Sequence, residues 1–538
     1  MHCEHSPHGL RPPARYGCAA WGARGRAQRR RPPRGSQPGR GRNIRAPPPP
    51  GGPRGPPPPP LPPPAPPTAF HCAAVLEFSG PIDPGLLGRA VARAVDDAEA
   101  LRVRFAERDD RLTLHVRPSD EARTAGELTL VDLRAHPDPA AEADAWAAAR
   151  LAEAPTMLGP EPLVSHTLLR LGNDRDRLFL SYHHALLDGF GQGLHTARIA
   201  EVYTALEAGT PVPPSRAGTL AELVEGDVAY ASSSGFERDR RYWQETTSGL
   251  IIPQAPSLGG SASPLHSRGL LGPEQARPLL EAARAARVPW AIMAIALGAA
   301  YRRAMTGEDE IVLGLPVTAR LGRTALTTPG MLANELPLRL TIGRWTVLGE
   351  LVDDVRRSVG SLLRHQRYRG EDLHQELGRP NGTGGFGGLT LNVMSFARAM
   401  SFGRAEAVTH QLSTGPVRGL AVNIQGETDG EGGLALDLHA DGNAYREDEL
   451  SDVRAGLVHY LQHAPAGLGR RVGSLDPRPA GTRTQPRRGG VTPGSPPPAP
   501  RGRARCGEGG RAPPRARPPA RAARGARGGG PPRPPPPP

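Results

Sequence analysis

The stretch Ser181-Tyr182-His183-His184-Ala185-Leu186-Leu187-Asp188-Gly189 concentrates the residue types that could do chemistry in this 538-residue chain. An imidazole titrates close to neutrality, so it can accept a proton or donate a hydrogen bond at physiological pH. Two of them, His183 and His184, close an apolar run that reads as a strand. Asp188 follows four residues after His184, a spacing at which a carboxylate can brace the loop by pairing with an arginine. Gly189 permits a tight turn or the close passage of a ligand, because it has no Cβ. A bare His-His pair at a strand end would read as ordinary polar residues. The full His-His-x-x-x-Asp-Gly spacing at a strand–loop–helix junction reads as a site.

The elements that must position this loop can be followed along the chain. Residues 72–79 read as a strand, and Asp83-Pro84 supplies an N-cap followed by proline at the first helical position. Leu87, Ala90, Val91, Ala94 and Val95 then share one helical face. Leu112, Leu114 and Val116 alternate with polar residues, as in a half-buried strand, and Asp138-Pro139 opens an alanine-rich helix to about Ala154. Leu163–Leu171 and Arg177–Tyr182 flank a Gly172-Asn173-Asp174 turn, which predicts a hairpin whose second strand delivers the histidines. A helix from about Gln192 to Ala208 leads away from them. Residues 209–265 hold mixed short elements. Then come helices at about 273–286 and 288–305, a strand at 310–315 and a helix at 346–366. Strands at 388–396 and 417–425 and a last helix near 447–463 complete the series. This order predicts an α/β sandwich in two subdomains, 70–265 and 266–476. No dinucleotide-binding glycine fingerprint is visible.

Composition separates this folded part from its surroundings. Of the 63 prolines, 21 lie in 1–69 and 19 in 477–538. The same two segments carry net charges of +11 and +13, which leaves the middle of the chain at −10 against the overall +14. All 67 basic residues are arginine, which points to coding bias rather than to selection for guanidinium chemistry. Nearly all Pro, Arg, Gly and Ala, the tails lack the apolar content to offset chain ordering and are expected to be disordered. Aromatic residues for base stacking are almost absent from them, which argues against nucleic-acid binding. Cys3, Cys18 and Cys506 lie in the tails and Cys72 alone in the middle, so no disulfide framework exists. His2, Cys3, His5 and His8 lack a second ligand pair, and no metal site is expected. With no long apolar run and no signal peptide, the expectation is a cytoplasmic protein without membrane attachment.

Around these residues the sequence resembles the condensation domains of nonribosomal peptide synthetases, within the chloramphenicol-acetyltransferase-like superfamily. Beyond His-His-x-x-x-Asp-Gly, Asp239 to Trp243 resembles the D-x-x-Y-W element, and Gly314 to Arg320 the G-x-P-x-x-x-R strand and loop. Pro329 to Asn334 with Leu336-Pro337-Leu338 resembles the next block. His365 to Tyr368, Leu391-Asn392-Val393 and Ser413 to Val417 resemble later ones, in a form similar to siderophore synthetases such as enterobactin synthetase. The likeness covers about 70–475, in order.

The resemblance implies two chloramphenicol-acetyltransferase-like subdomains in a V-shaped pseudo-dimer with a central tunnel. It implies that His184 is catalytic, deprotonating the attacking amine or hydrogen-bonding the tetrahedral intermediate. It implies that Asp188 pairs with Arg320 to hold the loop beside His183, that Gly189 lies where the acceptor's arm passes, and that Asn392 lines the tunnel. The substrates would arrive on phosphopantetheine arms of donor and acceptor carrier domains, next to an adenylation domain, with no cofactor bound directly. Tyr242 and Trp243 read as packing residues, His365 as a surface or packing residue, and Pro329, Gly330 and Asn334 as turn formers. The family's opening S-x-A-Q segment is replaced by Pro56 to Pro67, and the likeness fades after Leu475. The expectation is a fragment of a larger synthetase, or a chain whose ends are shifted, with part of the donor side exposed. An epimerization domain would need a glutamate-bearing block where Pro329 to Asn334 stands, and a heterocyclization domain aspartates in place of the histidines. A stand-alone acyltransferase acting on an alcohol or free amine, or an inactive scaffold that recruits carriers, are the competing readings.

Overall fold

The structure, a computed structural model, describes residues 70–477 apart from 109–110, 120–121, 173, 251–264, 379–384, 387, 395–399, 416, 418 and 427–432. The expected tails 1–69 and 477–538 (the latter from residue 478), the cluster His2, Cys3, His5 and His8, and Pro416 lie outside the described residues.

The first half runs β1 (His71–Ser79), α1 (Pro84–Asp96), β2 (Val103–Arg108), β3 (Arg111–Val116), β4 (Leu128–Asp132) and α2 (Pro139–Ala152). It continues through β5 (Val164–Arg170), β6 (Arg177–His183), α3 (Gly189–Glu207), α4 (Leu220–Ala231) and α5 (Ser234–Thr246). The second half opens with β7 (Leu265–Leu271), α6 (Pro273–Ala285), α7 (Trp290–Thr306), β8 (Glu310–Val317), α8 (Arg323–Thr327) and β9 (Asn334–Thr341). There follow α9 (Leu348–Arg364), α10 (Gly370–Glu376), β10 (Leu389–Met394), β11 (Met400–Phe402) and β12 (Ala405–Thr414). Last come β13 (Leu420–Gly426), β14 (Leu434–Ala440) and α11 (Glu447–His463).

Two six-stranded sheets organise these elements. The first has the order β11-β12-β1-β6-β5-β4 and the second β7-β14-β13-β10-β8-β9, while β2 and β3 form a separate ribbon. Strand β6 lies between β1 and β5, antiparallel to both, and from Leu178 to His183 it is buried throughout. A strand with neighbours on both sides and layers on both faces tolerates apolar residues at every position, and Leu178-Phe179-Leu180 fits that place. Strands β11 and β12, residues 400–414, pair with the first sheet although they lie well past residue 266, where the second half was expected to begin. The physical reason is an open edge. Without β12, the buried strand β1 would present a row of unpaired N–H and C=O groups.

Helix α9 shows how patterning sets the second core. Leu348, Leu351, Val352, Val355, Val359 and Leu362 recur at helical spacing and are all buried. They pack with alternate residues of the second sheet, among them Leu313, Leu336, Leu338, Val422, Ile424 and Leu436, and with Met293 and Leu297 of α7. The first core gathers Leu76, Phe78, Leu87, Val91, Leu168, Leu178 and Ile199 between sheet and helices. Helix α5 is pinned to the end of α9, since buried Trp243 donates Nε1–H to the carbonyl of His365 at 3.0 Å. Asp239 accepts from Tyr230 at 2.8 Å and contacts His365 Nδ1 at 2.9 Å, and Tyr242 stacks on the His365 ring at 4.0 Å. The D-x-x-Y-W element is therefore a packing unit. Among the described residues, no helix is long and apolar enough to cross a membrane.

Several core histidines are held neutral. His166 and His195 lie in the first core with Nε2 atoms 2.9 Å apart, an arrangement that one donor and one acceptor satisfy. Burial lowers His166 and His439 to about 4, and burial, helped by His166, also drives His195 well below its ordinary value. The unfolded chain takes up protons as pH falls through 6.5, whereas the folded chain resists until near 4. Stability is therefore expected to fall across that window by on the order of 1 kcal/mol per pH unit for each such histidine. Denaturant midpoints at pH 7.5, 6 and 5 check this, and a midpoint constant over that range would contradict it.

Candidate active site

Strand β6 ends at His183, and the next residues turn sharply before α3 begins. The turn is fixed by its backbone. His183 N–H donates to the carbonyl of Leu163 and His184 N–H to that of Phe70, each at 2.8 Å, and Leu186 N–H donates to the carbonyl of His183 at 2.9 Å. The His183 ring is buried, stacks on Phe70, meets His71 edge-on, and accepts from Ala185 N–H through Nδ1 at 3.1 Å. Burial, then the neighbouring His71 and His184, lower its pKa to about 3. His183 is thus a neutral acceptor that shapes the turn. His184 is half-buried, and among the described residues its ring has no hydrogen-bond partner. Its Cδ2 lies against Gly415, where a Cβ would come within 2.5 Å of it. Gly415 has φ +91°, a conformation that disfavours side chains, so the chain closes on the imidazole face there.

Asp188 is the anchor. Its carboxylate accepts from Gly191 N–H at 2.6 Å, capping α3, which begins at Gly189 rather than near Gln192 because this cap captures the first turn. The same carboxylate accepts from Leu332 N–H at 2.9 Å and from Ala333 N–H at 2.8 Å. Arg320 Nη2 reaches both oxygens, at 3.0 and 3.1 Å. The guanidinium also donates to the carbonyls of Thr328 at 2.9 Å and Gly330 at 2.8 Å, and to that of Ala325. It sits 4.9 Å from the ring centre of Phe190. Both side chains are sealed from water, 0% exposed for Arg320 and 2% for Asp188. The preceding residue, Ala319, has φ +50°, a strained setting for a residue with a Cβ, and its N–H donates to Gln366 Oε1 at 3.0 Å.

The structure therefore brings His183, His184, Asp188, Gly189 and Arg320 together across the two halves. Asn392 makes its contacts within the second sheet. That residue lies on β10, donates from Nδ2 to Asn423 Oδ1 at 3.0 Å, and no hydrogen bond among the described residues joins it to the histidine loop. Asn334 binds the carbonyls of Gln366 and Tyr368 and accepts from Gly370 N–H, which makes it a loop organiser. Sequence reasoning did not single out Gly191. A Cβ there would lie 2.8 Å from the carbonyl oxygen of Gly330, so the missing side chain at 191 allows α3 to abut the Asp188-binding loop. A second glycine two residues after Gly189 was the available signal. Beneath the turn, Tyr182 O–H donates to Gln192 Oε1 at 3.0 Å, and burial pushes the Cys72 thiol up to about 12, leaving no reactive thiolate. Among the described residues, no group of three His, Cys, Asp or Glu is arranged to hold a metal ion.

Removing one partner of a buried pair strands the other charge, so Arg320→Ala is expected to cost about 3–5 kcal/mol. Gly191→Ala is expected to destabilise through its contact with Gly330, whereas Gly189→Ala, with nothing within 4 Å of the added Cβ, is tolerated. Denaturant melts of the three variants check this; equal midpoints for the two glycine variants would contradict it.

The profile of the family described as "Condensation domain" matches residues 65–477. A dimodular nonribosomal peptide synthase of Bacillus subtilis (strain 168) is 33% identical over 412 residues, 76% of this chain and 17% of that protein. Enterobactin synthase component F of Escherichia coli (strain K12) is 31% identical over 413 residues, 76% of this chain and 32% of that protein. The chain thus spans a third or less of either relative. The first condensation domain of the calcium-dependent antibiotic synthetase, solved with a substrate analogue, superposes with TM-score 0.69 at 33% identity, covering 76% of this chain and 94% of that one.

Proposed function

This chain belongs to the condensation-domain family, and on that premise we propose that it forms an amide bond between two carrier-bound substrates. The donor is an acyl or aminoacyl thioester on the phosphopantetheine of one carrier domain. The acceptor is the amine of an amino acid on a second. One observation supports this most: the histidine loop is clamped by a buried ion pair across both halves while the His184 ring has no hydrogen-bond partner among the described residues.

The chemistry needs little else. The acceptor nitrogen attacks the thioester carbonyl, the tetrahedral intermediate collapses, the C–S bond breaks and the carrier thiol leaves. One proton must move from nitrogen to sulfur. The His184 imidazole is the group that would carry it, or would hydrogen-bond the intermediate while it moves. Holding two activated arms in register supplies several kcal/mol of the barrier reduction, and the imidazole roughly 10²–10⁴-fold in rate. Arg320 and Asp188 act through the position of His184. Residues 70–265 and 266–476 would be the arms of the enclosing V, with Gly189 beside the acceptor's path and Asn392 as a more distant wall of the tunnel. The protein would hold no cofactor of its own. An adenylation domain that loads the acceptor carrier would be its neighbour, in the cytoplasm, and the likeness to enterobactin synthase component F supports a siderophore-type product.

Mixing the chain with loaded donor and acceptor carriers and weighing both by intact-protein mass spectrometry tests the reading. Transfer of the acyl mass to the acceptor is expected, with a loss on the order of 10²–10⁴-fold in His184→Ala. Full transfer by that variant would remove His184 from the mechanism. Transfer to free alcohols alone would make the protein an acyltransferase of the stand-alone kind. Gly189→Phe is expected to fold normally and lose transfer, which a purely structural Gly189 would not show.

A further inference from the structure

Helices α5 and α9 face each other across a groove of about 210 Å³ on the side of the second sheet formed by β9. We propose that this groove binds a small phosphate-type dianion. Its chemistry comes from both helices. Tyr242 and Thr246, one turn apart on α5 with their hydroxyls bonded, and Ser358 and Ser361, three residues apart on α9, all line it, so four hydroxyl-bearing residues border the space. Arg339 from β9 and Arg357 from α9 complete the lining, which contains no acidic residue.

The cations differ in a way that suits an incoming anion. Arg339 is held rigid, donating to the carbonyls of Thr246 and Ser248 at 3.3 and 3.0 Å and to Glu310 at 2.9 Å, yet its side chain keeps 29% of its surface exposed. Arg357 pairs with Asp354 one turn back and is 61% exposed. Arg364, the next basic residue along α9, donates to Ser361 Oγ at 2.8 Å, and among the described residues it pairs with no carboxylate. Three guanidinium groups thus stand against two carboxylates around the groove. The excess positive charge, the preset arginine and the hydroxyls offer several directed donors to a compact oxyanion. Size narrows the class. Pockets for drug-sized molecules start at roughly 300 Å³, so this groove suits phosphate, diphosphate or the terminal phosphate of a larger ester.

The test titrates the full-length chain with inorganic phosphate, inorganic diphosphate and coenzyme A by calorimetry, at ionic strength fixed with chloride. The arginine-rich tails are common to every variant, so their contribution subtracts out. Saturable binding is expected, at least tenfold weaker in R357Q/R364Q and in Ser358→Asp. Because all three positions are only partly buried or exposed, the unliganded melting temperature is expected to stay unchanged. Binding of the inorganic anions that weakens in the variants assigns a free ligand, and binding of coenzyme A alone that weakens in them a phosphate ester; coenzyme A binding that the variants leave unchanged belongs to the tunnel and counts against the groove. No saturable binding, or the same affinity in both variants, overturns it. The outcome is independent of acyl transfer.

Discussion

A carboxylate and a guanidinium removed from water would each be unstable alone, and the organisation of the site rests on their being removed together. Burying such a pair costs several kcal/mol of lost hydration per ion, and the Coulomb attraction offsets that only when the remaining hydrogen-bonding capacity is also filled. Here it nearly is. Asp188 receives three backbone N–H groups besides the guanidinium, and Arg320 gives to three carbonyls at the end of α8 and the loop beyond it. Among the described residues, Arg320 Nε has no hydrogen-bond partner. The pair is thus a junction between the start of α3 in one half and the β8–β9 connection in the other. Moving either half strands a charge.

The two adjacent histidines divide the work through this junction. His183 points into the first sheet's end, neutral and engaged, so it contributes shape. His184 follows it, with its backbone N–H on the Phe70 carbonyl and its ring against Gly415, and among the described residues its ring nitrogens have no hydrogen-bond partner. Close glycine contacts then set how near the surrounding backbone can come.

Much of this was legible in the sequence because it is local. Asp83-Pro84 and Asp138-Pro139 marked helix starts that α1 and α2 have, with both aspartates accepting from the backbone as N-caps. The β5–β6 hairpin followed from its turn residues, and the apolar stripe of α9 from its spacing. Motif order identified Asp188 and Arg320, 132 residues apart, which no periodicity could have paired. What stayed hidden was non-local. Nothing in Ala405–Thr414 says which sheet it joins, since an alternating strand fits any open edge. Gly191 has its meaning only opposite Gly330, and Asn392 reads as a polar strand residue whose partner, Asn423, is supplied by register.

The exchange of β12 into the first sheet also governs how the chain can be made. Cys72 finds its partner Thr414 across more than three hundred residues, so the first sheet cannot close until residue 414 has left the ribosome. Such long-range pairing slows folding and leaves an apolar strand edge waiting during synthesis. A half-protein ending after α5 would keep β1 in that waiting state permanently. It would be a sticky intermediate, unsuited to separate expression or to recombination with the half from another condensation domain at residue 265.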